Sequence, residues 1–122
     1  MGTDLVKTGR FTRKEHVKSY SEIRKLFREG KKYTVQGAKL FCLPNGLEIN
    51  RIAIALPRGF GNSVQRNRAK RLCRETYRLY KAKLKTGYDM VFLIYPDADS
   101  FKKRCEQFHI LCKKAGLTLE NP

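Results

Sequence analysis

The chain has 122 residues and 41% hydrophobic content, enough for one packed core and too short for two ordinary domains. Its 27 Lys and Arg face 11 Asp and Glu, and the resulting formal net charge of +16 calls for a polyanionic partner. The longest apolar run, residues 90–95, falls far short of the ~20 residues of a spanning helix, and residues 1–10 carry no apolar signal-peptide stretch, so no membrane partner and a cytoplasmic location are expected.

A first helix is predicted over 19–29. Ser19-Tyr20-Ser21-Glu22 has the S-x-x-E form of a capping box, Gly30 supplies the stop, and Tyr20, Ile23, Leu26 and Phe27 make one apolar stripe. Thr12 to Glu15 fits the same box, which leaves open an earlier start or a separate turn. Residues 33–43 lean to strand, Pro44-Asn45-Gly46 is turn chemistry, and in 51–56 Ile52, Ile54 and Leu56 alternate with Ala53 and Ala55. These two strands are expected to pair as an antiparallel hairpin.

Pro57-Arg58-Gly59-Phe60-Gly61 breaks the second strand. Asn62 or Ser63 is then a competent N-cap for a long helix ending near Gly87, more than ~30 Å in length. Residues 88–95 read as a strand buried on both faces, with Pro96 ending it. A last helix over 100–115 places Phe101, Cys105, Phe108, Cys112 and Ala115 on one face, with Gly116 as the stop. The order helix, two or three strands, helix, strand, helix describes an α+β fold of one sheet with helices on it.

The four cysteines, Cys42, Cys73, Cys105 and Cys112, read as reduced thiols. A zinc site is the sharper alternative. It is disfavoured because there is no C-x-x-C, and Cys105 and Cys112 lie two helical turns apart, roughly 10 Å along the axis. The carboxylates are scattered, whereas a protein nuclease needs them clustered around metal ions or paired as acid and base. Asp97 and Asp99 read as helix caps, and His16 and His109 as packing residues. No catalytic residue and no protein-held metal or cofactor is expected.

The long helix carries the strongest signal. At about 100° per residue, Val64, Ala69, Leu72, Cys73, Thr76, Leu79 and Tyr80 fall on one side. Opposite them fall Arg66, Asn67, Lys70, Arg71, Arg74, Arg78 and Lys81, with Glu75 at the border. Ordinary solvated faces mix signs at i, i+4 spacing, but Arg66/Lys70, Lys70/Arg74 and Arg74/Arg78 are like-charge pairs, each costing a few tenths of a kcal/mol unless an anion neutralises them. Arg68 projects near the edge of the apolar side, where it is expected to close a groove against the sheet.

The run Gly61-Asn62-Ser63-Val64-Gln65-Arg66-Asn67-Arg68-Ala69-Lys70-Arg71-Leu72-Cys73-Arg74-Glu75 closely resembles the signature helix of bacterial ribonuclease P proteins. The resemblance continues through Glu15-His16-Val17, Phe27-Arg28-Glu29-Gly30 and the strands at 51–56 and 89–95, covering roughly residues 10–116. It implies a two-layer α/β sandwich of order α-β-β-β-α-β-α, with a left-handed β-α-β crossover shared with a ribosomal protein domain, the opposite of the general handedness rule. The chain itself divides into a flexible N-terminus at 1–10, one RNA-binding domain at 11–117 and a frayed tail at 118–122.

The same resemblance implies a ribonucleoprotein endonuclease. Its RNA subunit hydrolyses the phosphodiester with Mg2+, while the protein binds that RNA and the single-stranded 5′ leader of precursor tRNA. Arg66, Lys70, Arg71 and Arg74, with Asn67 and Arg78, are implied as RNA contacts; Arg58, Arg68, Phe27 and Phe41 lie nearer the leader. Packing in the core competes with leader contact for Phe27. Two departures stand out: Ile23 occupies a cleft position that is often aromatic, and Pro57-Arg58-Gly59 replaces a stretch that commonly carries consecutive lysines. A non-enzymic RNA-binding or ribosomal module and a DNA-binding helix protein are the competing readings. The oligomeric state is left open.

Overall fold

The computed structural model describes residues 13–96 and 100–119. Its centre is the strand Tyr88–Ile94 (β4), where Met90, Val91, Phe92 and Ile94 are wholly buried. A strand with no solvated face needs neighbours on both edges and a layer on each side. The edges are taken by Ala38–Pro44 (β2), antiparallel, and Arg51–Ala55 (β3), parallel. Lys31–Val35 (β1) pairs antiparallel with β2, giving the order β1-β2-β4-β3. The expected β-strand hairpin between residues 33–43 and 51–56 is therefore corrected, because β4 lies between the two. The actual hairpin is β1–β2, closed by Gln36-Gly37, with Gly37 at φ 85°.

The helices are Tyr20–Glu29 (α1), Ser63–Tyr80 (α2) and Phe101–Lys114 (α3). The chain is thus α+β, in the order the sequence predicts, with a four-stranded sheet and three helices. Ala38, Leu40, Cys42, Ile52, Met90, Phe92 and Ile94 meet Ala69, Cys73 and Tyr77 of α2 and Phe108, Leu111 and Cys112 of α3 in the larger core. The alternate residues Phe41 and Val91 form a smaller core on the other face with Leu26 of α1 and Val17.

Each helix start has a side-chain cap. Ser19 accepts from the Glu22 N–H at 3.4 Å, but Glu22 does not complete a capping box; its carboxylate takes a hydrogen bond from Arg51 at 2.9 Å. Arg51 also grips Asp89 through two bonds, at 2.8 and 2.6 Å, tying α1 to β3 and β4. At the other end of α1, a Cβ on Gly30 would stand 2.5 Å from the Leu26 carbonyl oxygen, so only glycine lets the chain turn directly into β1. Asn62 caps α2 in a full box, accepting from the Gln65 N–H at 2.9 Å while Gln65 Oε1 accepts from the Asn62 N–H at 3.0 Å.

Four further expectations are corrected. Helix α2 stops at Tyr80 rather than near Gly87, because a 3-10 turn at Lys81–Lys83 turns the chain so that Leu84 enters the core. Within α2 the buried residues are Ala69, Cys73, Thr76 and Tyr77; Val64 and Leu79, placed on the apolar side by the helical projection, are exposed. In α3 the buried Arg104 joins the inner face while Phe101, in the first turn, is exposed; Arg104 donates to the Tyr95 carbonyl at 3.1 Å and to Gln107 at 3.0 Å. Residues 118 and 119 are not frayed: Thr118 bridges to Leu84, and the Leu119 N–H donates to the Lys83 carbonyl at 2.8 Å.

The separate turn upstream of α1 exists, as a 3-10 helix at Arg13–Glu15. Ser100 caps α3, accepting from the Lys103 N–H at 3.0 Å. The expectations for residues 1–10, Thr12, Asp97, Asp99 and 120–122 lie outside the described residues.

Gly61, at φ 152°, lies where a Cβ would sit 2.3 Å from Gln65 Oε1. Gly61→Ala therefore pushes Gln65 out of its half of the capping box and strains the backbone at that φ, and is expected to lower the unfolding free energy by about 1 kcal/mol, read as the urea midpoint at unchanged m-value.

Candidate nucleic-acid interface

The rotation of α2 about its axis decides which cations share a surface. With Tyr77 in the core, the half-buried Arg66 and Lys70, together with Arg74, come to the edge of α2 that faces β3 and the segment leading into α1. A groove of about 190 Å³ opens there, lined by His16, Val17, Ile23, Ile52, Ala53, Ile54, Lys70 and Arg74. The alanines of β3 make this possible: Ala53 and Ala55 lie on the α1 face of the sheet, and their short side chains leave it open beside the helix.

Arg66, Lys70, Arg71 and Arg74 have no carboxylate within 4.0 Å among the described residues. Arg66 donates to the Pro57 carbonyl at 3.3 Å, fixing the turn that presents Arg58 to solvent. Asn67, Arg71 and Arg78 stand on the exposed side of α2, and Arg78 is paired with Glu75 at 3.1 Å. Two assignments change. Lys81 belongs to no open basic stripe, since its ammonium is 2.7 Å from Glu15 and both side chains are largely covered. Arg68 does not close the groove: two residues from Lys70 is 200° of helical turn, and Arg68 points to solvent on the other edge.

The predicted aromatic pair is in contact. Phe27 and Phe41 meet edge to face at 4.9 Å, with Phe41 buried and Phe27 40% exposed, so Phe27 both packs and presents a free face. Ile23, one turn earlier in α1, lines the cationic groove instead of extending the aromatic pair. On the same face of β2, two residues before Phe41, the Lys39 ammonium lies 5.7 Å from the ring centre of Tyr95. Sequence reasoning passed over both; the i, i+2 alternation with Phe41 is the signal for Lys39.

His16 was also read as packing, yet it lines the groove with Lys70 and Arg74. Its pKa is lowered from 6.5 by burial, then by the charges of Arg74 and Lys18, against a smaller opposing effect of Glu15. Cationic groups along one wall, a small apolar floor and a stacking pair suit a flexible polyanion with planar bases. Among the described residues no three His, Cys, Asp or Glu side chains converge to hold a metal ion.

The ribonuclease P family description matches residues 11–116. The chain belongs to the ribonuclease P protein family. The ribonuclease P protein component of Natranaerobius thermophilus is 39% identical over 107 residues, 86% of this chain and 93% of that protein. That of Clostridium botulinum (strain Loch Maree) is 38% identical over 104 residues, 83% and 94% of the two. The solved ribonuclease P protein of Thermotoga maritima superposes with a TM-score of 0.74 at 25% identity, covering 88% of this chain and 99% of that one. The Staphylococcus aureus structure, at 18% identity and a TM-score of 0.77 over 86% and 98%, shares the fold.

A phosphate in the groove would offset the Arg74 and Lys18 charges that, after burial, lower the His16 pKa. Polyanion affinity should therefore rise as pH falls toward that lowered pKa, and His16→Gln should flatten that profile in a binding titration. Without ligand the sign reverses. Because the folded pKa lies below that of the unfolded chain, the His16 contribution to stability is complete above 6.5 and is lost as pH falls toward the folded value.

Proposed function

We propose that this chain is the protein subunit of ribonuclease P, binding the catalytic RNA through α2 and the 5′ leader of precursor tRNA in the open face between α1 and the sheet. The observation that carries this reading is the joining of Lys70 and Arg74 with Ile23, Ala53 and Ile54 in one groove, beside the exposed face of Phe27. Arg66, Lys70, Arg71 and Arg74 engage phosphates; Asn67 adds a polar contact on the exposed side. Arg58, at the mouth of the turn, and the Phe27–Phe41 pair meet the leader, whose bases stack without sequence preference at about 1–3 kcal/mol each.

In this division of labour the protein supplies binding and orientation, and the RNA supplies the chemistry and holds the magnesium. The protein's effect is to keep the leader from diffusing away and to screen phosphate repulsion where RNA and substrate approach. A purely ribosomal or general RNA-binding role shares the electrostatics and is distinguished by cleavage. A DNA-binding role predicts preference for duplex DNA over structured RNA.

The test is single-turnover cleavage of precursor tRNA by ribonuclease P RNA at low magnesium. Addition of the protein should stimulate cleavage strongly, and only when the leader is several nucleotides long. Tight RNA binding without stimulation would defeat the reading. If α2 meets about four phosphates, log K should fall with log salt at a slope near −3, and Arg71→Ala should reduce that slope by nearly one while leaving the circular dichroism spectrum unchanged. Lys81→Ala should do the reverse, lowering stability while leaving the slope intact, because its charge serves Glu15.

A further inference from the structure

Where α2 gives way to the Lys81–Lys83 turn, a second hollow of about 180 Å³ opens between that turn and α3. It shares no residue with the groove beside α1. Its floor is Leu84, Phe108 and Cys112, all buried. Tyr80 and His109 form one wall, their ring centres 5.6 Å apart, and Tyr80 also lies 6.3 Å from Phe108. Thr118 and Leu119 close the other side, held there by the Thr118–Leu84 bridge and the bond from the Leu119 N–H to the Lys83 carbonyl.

The lining selects the occupant. At about 180 Å³ the hollow is smaller than the ~300–1,000 Å³ of drug-sized sites, so it suits one planar ring system. The rings of Tyr80 and His109 beside an apolar floor favour an aromatic ring over an aliphatic chain. A heterocycle's ring nitrogens and exocyclic groups can in addition pair with the His109 imidazole and the Thr118 hydroxyl, which an aliphatic guest cannot do. At the mouth, the Lys83 ammonium rests 5.6 Å from the centre of the Tyr80 ring. A ring stacking on Tyr80 displaces it toward solvent, where it can meet an anionic substituent of that ring. Among the described residues, Glu106 is the carboxylate whose charge is felt at the Tyr80 hydroxyl, and it lies outside the lining.

We propose that this hollow is a nucleotide site, with the base held against Tyr80 and the phosphate on Lys83. Two sources share that chemistry: a free mononucleotide, or an unpaired nucleotide of bound RNA. The second rests on the RNA-binding reading above.

The experiment follows the ring protons of Tyr80 and His109 by NMR in the full chain, titrated with AMP and separately with a five-residue single-stranded oligoribonucleotide. Saturable shifts of both rings are expected, weakened roughly tenfold in Lys83→Glu, as for loss of one charged hydrogen bond. Lys83 is exposed, so that variant keeps the fold. If the oligonucleotide displaces AMP, the source is RNA. If it shifts only Phe27 and Phe41 while AMP keeps its place, the source is the free nucleotide. No saturable shift with either ligand, or shifts that Lys83→Glu leaves unchanged, overturns the proposal. Leader-dependent cleavage measured with the same variant reports separately on the proposed function.

Discussion

The parallel pairing of β3 with β4 is the constraint from which the rest of the structure follows. Two parallel neighbours cannot be joined by a turn, so the chain must leave the end of β3, cross one face of the sheet and return to the start of β4. Helix α2 is that crossing. Its N-terminus is therefore set beside the end of β3, and its buried stripe of Ala69, Cys73, Thr76 and Tyr77 is committed to the larger core. The cations have only the remaining surface. The position of Lys70 and Arg74 beside Ala53 and Ile54 is a consequence of topology as much as of their own chemistry.

The other sheet face is built differently. Its core is small, with Leu26, Phe41, Val91 and Val17 buried and Ile23, Leu43, Ala53, Ala55 and Leu93 only partly covered. A helix lying on so little apolar surface needs a further tie. Arg51 supplies it, joining Glu22 of α1 to Asp89 of β4 through bonds of 2.6 to 2.9 Å. The hydrogen bonds of Asp89, and then of Glu22, hold the guanidinium charged well above its ordinary range of ionisation, so its side of the tie stays charged as pH rises. The open sheet and the ion triad are thus parts of one arrangement: polar fastening on one side of α1 allows an uncovered face on the other.

Much of this was legible in the sequence because local chemistry and global fold agree. The Ser19 and Asn62 caps, the both-sides burial of β4 and the alternation of β3 each depend on a few neighbouring residues. What was not legible depends on residues far apart. A strand of alternating Ile and Ala does not say whether its partner is parallel or antiparallel, and Pro44-Asn45-Gly46 looked like a hairpin turn although β4 separates its two arms. The helical projection of α2 was wrong by the angle between an average apolar face and the one that admits Tyr77; that angle exposes Val64 and Leu79 and moves Lys70 to the groove. Lys81 read as one more cation because its partner Glu15 lies 66 residues earlier. Of the site, the cations and the phenyl pair could be named in advance and Lys39 was marked by its alternation with Phe41, while His16 and Tyr95 became visible only once the sheet was assembled.

All four cysteines are buried and none is in a disulfide, and Cys42, Cys73 and Cys112 belong to the larger core. Burial, and to a lesser extent the nearby Cys42, push the Cys112 thiol up to about 12, so almost none of it is thiolate at neutral pH. In the closed structure such sulfurs are poor nucleophiles and almost wholly covered. Alkylation must wait for the helices to lift from the sheet, which makes the native cysteines a built-in clock for opening of this layer, one that needs no introduced label.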